Sequence, residues 1–150
     1  MILCYISSIA PNIGIRETRR MKGLDCVTLE QALSGDVPDS SICLSGYTID
    51  IHYNNAQGTL FKKLQKPFGI PYGCLVSAEV ENLMFAGRCI SVDDHVVGST
   101  RVMVCCMAMG QAVGLAAAMA LNGGVAPAQV DVAELRSKLA QQGAILEASQ

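Results

Sequence analysis

The sequence predicts an α/β fold, because short β-forming segments precede a long helix of small residues and a final amphipathic helix. Isoleucines alternate with polar residues over residues 49–52, a period of two that is typical of a strand with one polar face. Residues 102–124 carry no charge and are rich in Ala, Gly and Met, which predicts a closely packed helix. Leu135 and Leu139 lie four residues apart, as on one face of a helix.

The composition indicates a folded chain with unusually little charge. Of the 150 residues, 51% are hydrophobic and 16% are charged, and the net charge is −2. An ordinary globular domain has roughly 25% charged residues. Disorder and a broad basic surface for nucleic acid are therefore excluded. We expect some apolar faces to meet a cofactor, a missing domain or a partner such as a second copy of the chain.

The cysteine content favours a reduced, cytoplasmic protein. Seven cysteines in 150 residues fall below the roughly 8–10% of a disulfide scaffold, and their number is odd. No CxxC or CxH spacing occurs, and the neighbours Cys105 and Cys106 would point to different faces of a helix or a strand. We therefore expect free thiols and no metal ligands in this chain.

The first half of the chain predicts strands. Residues 2–15 are rich in β-forming residues and are interrupted by Pro11 and Asn12, which predicts a strand, a turn and a second strand over residues 14–21. Residues 42–52 predict a further strand. A polar loop follows, and residues 59–68 show no strong periodicity.

Two helices carry capping signals. Thr28 and Gln31 form an S/T-x-x-E/Q capping box, and Gly35 stands where a left-handed residue would end that helix. The last helix is predicted over residues 132–142, with Asp131 at its start in a variant of the same box.

The second half contains the remaining elements. Residues 67–71 hold two prolines and a glycine and are predicted to be extended. Residues 80–86 form an apolar run that predicts a buried strand, with a tight turn at Gly87. The long helix is predicted to begin near Arg101 and to end at residues 122–124.

The long apolar helix has two interpretations. Gly110 and Gly114 have GxxxG spacing, which is typical of packed transmembrane helices. The segment lacks the dense Leu, Ile and Phe that favour membrane insertion, so we expect a buried helix and no membrane span. A small membrane-associated protein is the alternative. Residues 1–10 have no basic residue ahead of their apolar run, unlike a secretory signal.

The start of the long helix is the strongest candidate for a binding site. A strand is predicted to end at Gly87, and the helix begins near Arg101. The unpaired amides at a helix start attract negative charge. Gly98 would let a ligand approach the backbone, and Ser99 or Thr100 could cap the helix. The same residues also fit a capped core helix without any ligand.

Several segments in this order resemble the FAD-dependent oxidoreductase family with a glutathione-reductase-like fold. The resemblance runs from about residue 9 to residue 143. It rests on these segments: GIRETRR (14–20), IDIH (49–52), IPYGCLV (70–76), VENLMFAGRCIS (80–91), GSTRVM (98–103) and CMAMGQAVGLAAA (106–118).

The resemblance implies a C-terminal portion of a longer flavoprotein. Residues 1–66 would be part of a β-rich substrate domain, residues 67–126 would be the closing strand and long helix of the FAD domain, and residues 127–150 would form a C-terminal helix and tail. The G-x-G-x-x-G segment that holds the FAD pyrophosphate in this fold is absent from these residues. An N-terminal dinucleotide-binding half or subunit is therefore the expected partner.

Some relatives resemble the flavoprotein subunit of heterodisulfide reductase and carry a [4Fe–4S] cluster. Its ligand cysteines are not identifiable in this sequence.

The resemblance also assigns cofactor-binding residues. Gly87 and Arg88 would lie beside the FAD, with Gly87 leaving space for it. Ser99, Arg101 and Val102 would lie at the helix start that faces the pyrimidine edge of the flavin, and Gly98 just before them. Helix amides and a guanidinium there would stabilise negative charge on the ring.

Two sets of polar residues are candidates for substrate chemistry. In an extended segment Arg16 and Arg20 share one face, which could bind a carboxylate. Alternatively, Glu17 pairs with the neighbouring arginines in a structural network. Asp50 and His52 share a strand face, so the carboxylate could orient the imidazole for proton transfer. A solvated edge-strand pair is the alternative.

We therefore expect an FAD-dependent oxidoreductase fragment that transfers hydride or electrons between flavin and a small-molecule substrate or redox partner. The alternative is an inactive remnant or an interaction module. Arg16, Arg20 and His52 are the candidate catalytic residues.

Overall fold

The computed structural model of the protein describes residues 8–9, 11–12, 14–15, 19–52 and 59–147, apart from the side chains of residues 51, 52, 59 and 60. Most of the predicted strand over residues 2–15, together with Arg16 and the loop at 54–58, lies outside the described residues. The described elements, in chain order, are α1 (Leu29–Ser34), β1 (Ser41–Ser45), β2 (Ile49–His52), β3 (Thr59–Lys62), β4 (Phe68–Pro71), a 3₁₀ turn (Tyr72–Leu75), α2 (Val97–Thr100), α3 (Met103–Gly123), a second 3₁₀ turn (Pro127–Gln129) and α4 (Val132–Gln141).

The described strands form two small antiparallel sheets. β1 pairs with β4, so that Ser45 lies opposite Phe68, and β2 pairs with β3, so that Ile49 lies opposite Lys62. Helices combined with small antiparallel sheets are compatible with a fragment of an α/β protein. The extended conformation predicted for residues 67–71 is confirmed by β4.

The single strand predicted over residues 42–52 is wrong, because the chain forms two strands there. It leaves β1 at Gly46 and Tyr47, and the Ser99 hydroxyl donates a hydrogen bond to the Tyr47 carbonyl at 2.5 Å. β2 then pairs with β3 instead of β4. Alternation of apolar residues indicates strand conformation but not a change of partner.

The predicted capping of α1 and the predicted start of α4 are confirmed. Thr28 and Gln31 form the capping box, and Gly35 ends α1 in the left-handed region with φ 72°. At α4, the Asp131 carboxylate accepts from the Ala133 and Glu134 amides at 2.9 and 3.1 Å. The Glu134 side chain forms an ion pair with Lys138.

The long helix begins two residues later than predicted. α2 is a separate turn of helix, Val102 is extended with φ −67° and ψ 147°, and α3 begins at Met103. The end is confirmed, since Gly124 closes α3 with φ 64°. The break at residues 101–102 therefore separates α2 from α3.

Residues 80–86 do not form the predicted buried strand. Val80 is exposed, Asn82 has φ 58°, and in the described chain this stretch pairs only through a single bridge between Met84 and Val76. Gly87 has φ 87°, which confirms the turn there.

The core lies between α3, the β1–β4 sheet and α4. Leu135 and Leu139 of α4 are buried in it, as their spacing predicts. α3 contributes one face of mostly small residues, namely Cys105, Met109, Ala112, Ala116 and Ala120. Small side chains allow α3 to lie close to the sheet.

Candidate functional site: the start of α3

The start of α3 is an uncapped helix terminus. No side chain of the described residues hydrogen-bonds to it, and Val102 at the cap position is hydrophobic. The first helical hydrogen bond runs from the Cys106 amide to the Val102 carbonyl at 3.0 Å, so the three amides before Cys106 have no partner within the helix. This helix start therefore carries a positive partial charge that can bind an electron-rich group.

The helix start is open to the outside. Met103, Val104 and Met107 are 81%, 78% and 73% exposed. Three large apolar side chains at the terminus are therefore in contact with solvent rather than with the core. Both properties fit a site for a planar, partly apolar group.

The turn at Gly87 lies beside the first turn of α3. A Cβ added at Gly87 would lie 3.7 Å from Cys106 Sγ. Burial raises the pKa of Cys106, and the positive charge of Arg88 opposes this rise. Arg88 is exposed and donates a hydrogen bond to the Ile15 carbonyl at 2.7 Å. The structure thus brings Gly87 to the first turn of α3, with Arg88 next to it in the chain.

Arg101 is held at the base of this site by an ion pair. Its guanidinium contacts the Asp50 carboxylate, and the two side chains are only 14% and 15% exposed. An ion pair shielded from water in this way fixes the position of both groups. The pair joins β2 to the segment between α2 and α3.

Gly98 and Ser99 are buried beneath the site. A Cβ added at Gly98 would collide with the backbone of Asp50, whose nitrogen would be 2.7 Å away. The Ser99 hydroxyl donates to the Tyr47 carbonyl and lies 2.9 Å from the Ser45 hydroxyl. Both residues pack α2 against β2 and the end of β1, so their contacts are with the chain itself.

The candidate substrate residues are not assembled into one site by the described structure. Arg20 forms an ion pair with Asp94. The backbone of His52 lies opposite Thr59 at the end of β2, whereas its side chain and all of Arg16 lie outside the described residues. Their roles remain predictions.

Two features near the site were not predicted from the sequence. One is the Asp50–Arg101 ion pair, which joins residues 51 positions apart. The other is the common position of Cys43 on β1 and Cys105 on α3, which line the same cavity. No local sequence signal reports a contact between elements so far apart.

Cys105 is buried and Cys106 is half-buried, as expected for neighbours on a helix. Within the described residues no group of three or more His, Cys, Asp or Glu side chains could hold a metal ion.

A family comparison identifies the chain. The model of the family FAD dependent oxidoreductase matches residues 3–139. The chain belongs to this family. FAD is accordingly its cofactor, and its function is of the redox flavoprotein type. A comparison with curated proteins gave no match, and neither did a comparison with solved structures.

The residues present at the helix start fit FAD. The uncapped amides can donate hydrogen bonds to the polar edge of an isoalloxazine ring, and the exposed apolar side chains can contact its body. This agrees with the cofactor of the family.

One helix of the described residues, α3, is long and apolar enough to cross a membrane by length and composition alone, and 28% of its most apolar window is buried. A core helix of a soluble protein passes the same test.

Proposed function

We propose that this chain is the C-terminal part of an FAD-dependent oxidoreductase with a glutathione-reductase-like fold, acting in the cytoplasm on an organic substrate or redox partner. The single observation that carries the proposal is the open, uncapped start of α3 beside Gly87. The pyrophosphate of FAD would be held by an N-terminal dinucleotide-binding half, which is either another part of the same protein or a separate subunit.

When bound, FAD supplies hydride or electron transfer. The amides of the first turn of α3 would orient the electron-rich edge of the ring and stabilise negative charge there. Gly87 would leave room for the ring, and Arg88 would add a positive charge at its border. The apolar side chains of Met103 and Val104 would exclude water from one edge of the site.

The buried residues beneath the site would act by positioning. Gly98 and Ser99 fix α2 against β2, and Asp50 fixes Arg101. Because these contacts precede α3 directly, they hold the helix start in one orientation. Such a preorganised dipole does not have to move during turnover.

An exposed stripe on α3 supports the proposed missing half. We define the α3 stripe as Met103, Met107, Gly110, Gly114 and Leu121, all exposed. Within the described chain, nothing lies within 4 Å of a Cβ added at Gly110 or Gly114. The two glycines make a flat surface on which another backbone could pack closely. The N-terminal half would cover this surface.

Substrate chemistry would involve Arg16, Arg20 and His52. The arginines would bind a carboxylate of the substrate, and His52 would move a proton. The ion pair of Arg20 with Asp94 holds this guanidinium in place near the loop that precedes α2.

A second candidate is a small membrane-associated protein, which the length and exposed apolar surface of α3 favour. Solubility without detergent and flavin colour distinguish the two functions. A membrane protein needs detergent to stay in solution, whereas the proposed flavoprotein portion becomes soluble and yellow when its other half is present.

The test is coexpression of the chain with the coding sequence directly upstream of it, followed by purification and a visible absorbance spectrum. We expect flavin absorbance in the complex and little or none in the 150-residue chain alone. Tight stoichiometric FAD on the chain alone would contradict the proposed missing half. A colourless, FAD-free complex would contradict the proposed function.

A further inference from the structure

A cluster of positive charges lies at the end of β3 and in the segment that follows it. We define the lysine patch as Lys62, Lys63 and Lys66, all of which are exposed. None of the ion pairs formed by the described residues includes these three lysines. The sequence contains no Asp or Glu between Asp50 and Glu79. The lysine patch is therefore a local concentration of positive charge in a chain whose net charge is −2.

The acid on the neighbouring strand does not neutralise the lysine patch. Phe61 of β3 lies opposite Asp50 of β2. The Asp50 carboxylate contacts the Arg101 guanidinium, and its side chain is only 15% exposed. A molecule that binds the lysine patch through charge therefore has to bring negative charge of its own.

The core holds the backbone of the lysine patch in place. Lys62 lies opposite Ile49, which is fully buried. Leu64 lies within the patch in the chain, and its side chain is buried in the core. The Cβ of Lys66 packs against the end of α1, 2.8 Å from the position of a Cβ added at Gly35. The charged ends of the lysines thus extend into solvent from a backbone that the fold positions.

The backbone of β3 is open on the side away from β2. Among the described strands only β2 pairs with β3. The outer N–H and C=O groups of an edge strand are a template on which a further strand can pair. Lysines on such an edge repel a basic strand and attract an acidic one, so they make the pairing selective.

The side chains of β3 predict the sequence pattern of a strand that would pair there. Phe61 and Lys62 are neighbours in the strand and therefore point to opposite faces. Phe61 is 64% exposed. An apolar side chain of the added strand would pack on Phe61, and a carboxylate beside it would pair with Lys62. The added strand would thus alternate apolar and acidic residues, with further acids near Lys63 and Lys66.

We infer that β3 and the lysine patch bind an extended acidic segment of a partner protein by strand addition. Backbone hydrogen bonds to the open edge would supply affinity, and the lysines would select carboxylates. The inference does not depend on the proposed function, because neither FAD nor the start of α3 takes part in it.

The test is fluorescence anisotropy of a labelled, end-blocked ten-residue peptide of alternating valine and glutamate, titrated with the full chain. We expect binding that weakens as salt is added, because salt screens exposed charges. The same peptide with lysine in place of glutamate should not bind. Absence of binding by the valine–glutamate peptide would overturn the inference.

Two further probes separate strand addition from attraction between charges alone. N-methylation of alternate amides of the valine–glutamate peptide removes its backbone donors and keeps its charges, and it should weaken binding at least about tenfold. Equal affinity of the methylated peptide would overturn strand addition. A single-stranded oligonucleotide of the same net charge should also bind at least about tenfold more weakly. Equal or tighter binding of the oligonucleotide would assign the lysine patch to nucleic acid and overturn the inference.

Substitutions locate the binding surface. Lys62→Gln combined with Lys63→Gln and Lys66→Gln should weaken peptide binding at least about tenfold, because three charge pairs are lost. Lys22→Gln is the control at an exposed lysine whose ion pair is with Glu79, and it should keep the affinity within about twofold. Because all four lysines are exposed, urea unfolding of both variants should match the wild type. Equal peptide affinity in the triple variant and Lys22→Gln would contradict the inference.

Discussion

The two faces of α3 are alike in composition but different in surroundings. One face, with Met109 at its centre, is buried against β1 and α4. The other face, the α3 stripe, is exposed although it is equally apolar. A helix that is apolar all round belongs in the interior of a larger structure. The described chain therefore covers only one of the two apolar faces of α3.

The largest expected effect is on the buried face. Met109→Ala should lower the free energy of unfolding by about 3 kcal/mol, because a fully buried side chain leaves a cavity. Met107→Ala, the matched control on the exposed side of the same helix, should change it by less than about 0.5 kcal/mol. Urea unfolding measures both values. An equal loss of unfolding free energy in the two variants would mean that Met109 is no more buried than Met107.

The next effect concerns the ion pair below the helix start. Asp50→Asn should cost about 2 kcal/mol in urea unfolding, because the guanidinium of Arg101 loses a charged partner in a shielded place. Glu134→Gln is the control, since its ion pair with Lys138 is exposed and joins positions i and i+4 on α4. It should cost about 0.3 kcal/mol. If Asp50→Asn lowers the unfolding free energy no more than Glu134→Gln does, the Asp50–Arg101 ion pair does not stabilise the fold.

Raising the pH tests two buried residues of the first 3₁₀ turn, Tyr72 and Cys74. Burial raises the pKa of Tyr72 from 10.0 to about 12 and that of Cys74 from 9.0 to about 12. The folded chain therefore keeps these protons at pH values where the unfolded chain loses them. This contribution to stability is complete below pH 9.0 and should disappear as the pH rises towards about 12.

Thermal unfolding between pH 8 and 12 checks this window, which spans the usual alkaline range of buried thiols and phenols. Tyr72→Phe combined with Cys74→Ala should flatten the alkaline decrease, although the variant loses the hydrogen bond of Tyr72 to the Pro127 carbonyl. Cys26→Ala, at an exposed thiol, should leave the profile unchanged. A decrease that persists in the double variant would assign it to other groups.

The smallest effect on stability is expected on the α3 stripe. Gly114→Leu should change the unfolding free energy of the isolated chain by less than about 1 kcal/mol, since the added side chain meets open space and glycine is a poor helix former. In the protein completed by its N-terminal half, the same substitution should weaken assembly, measured by gel filtration. If Gly114→Leu leaves assembly unchanged, the N-terminal half does not pack on the α3 stripe.

What the sequence could predict depended on local chemistry. The capping box at Thr28, the left-handed Gly35 and the end of α3 at residues 122–124 were predictable, because each involves residues within one or two turns. The open helix start was located to within two residues. The exact first residue of α3 could not be predicted, because the extended residue Val102 follows a separate helical turn, α2, that packs against β2.

The parts that were missed depend on contacts between distant residues. The change of partner between β1 and β2, the strand β3 and the Asp50–Arg101 ion pair all depend on contacts between elements far apart in the chain. Residues 80–86 were assigned to a strand from their apolar content, but Asn82 in the left-handed region interrupts it. Apolar content indicates burial more reliably than it indicates strand pairing.

The most direct test of the central claim, that FAD binds at the start of α3, compares two glycines in the completed protein. Gly87 and Gly143 both have φ 87°, so Gly87→Val and Gly143→Val impose similar backbone strain. Gly143 lies past the far end of α4. FAD binding measured by flavin fluorescence should weaken at least about tenfold in Gly87→Val and remain unchanged in Gly143→Val. Equal FAD affinity in the two variants would show that FAD does not bind beside Gly87.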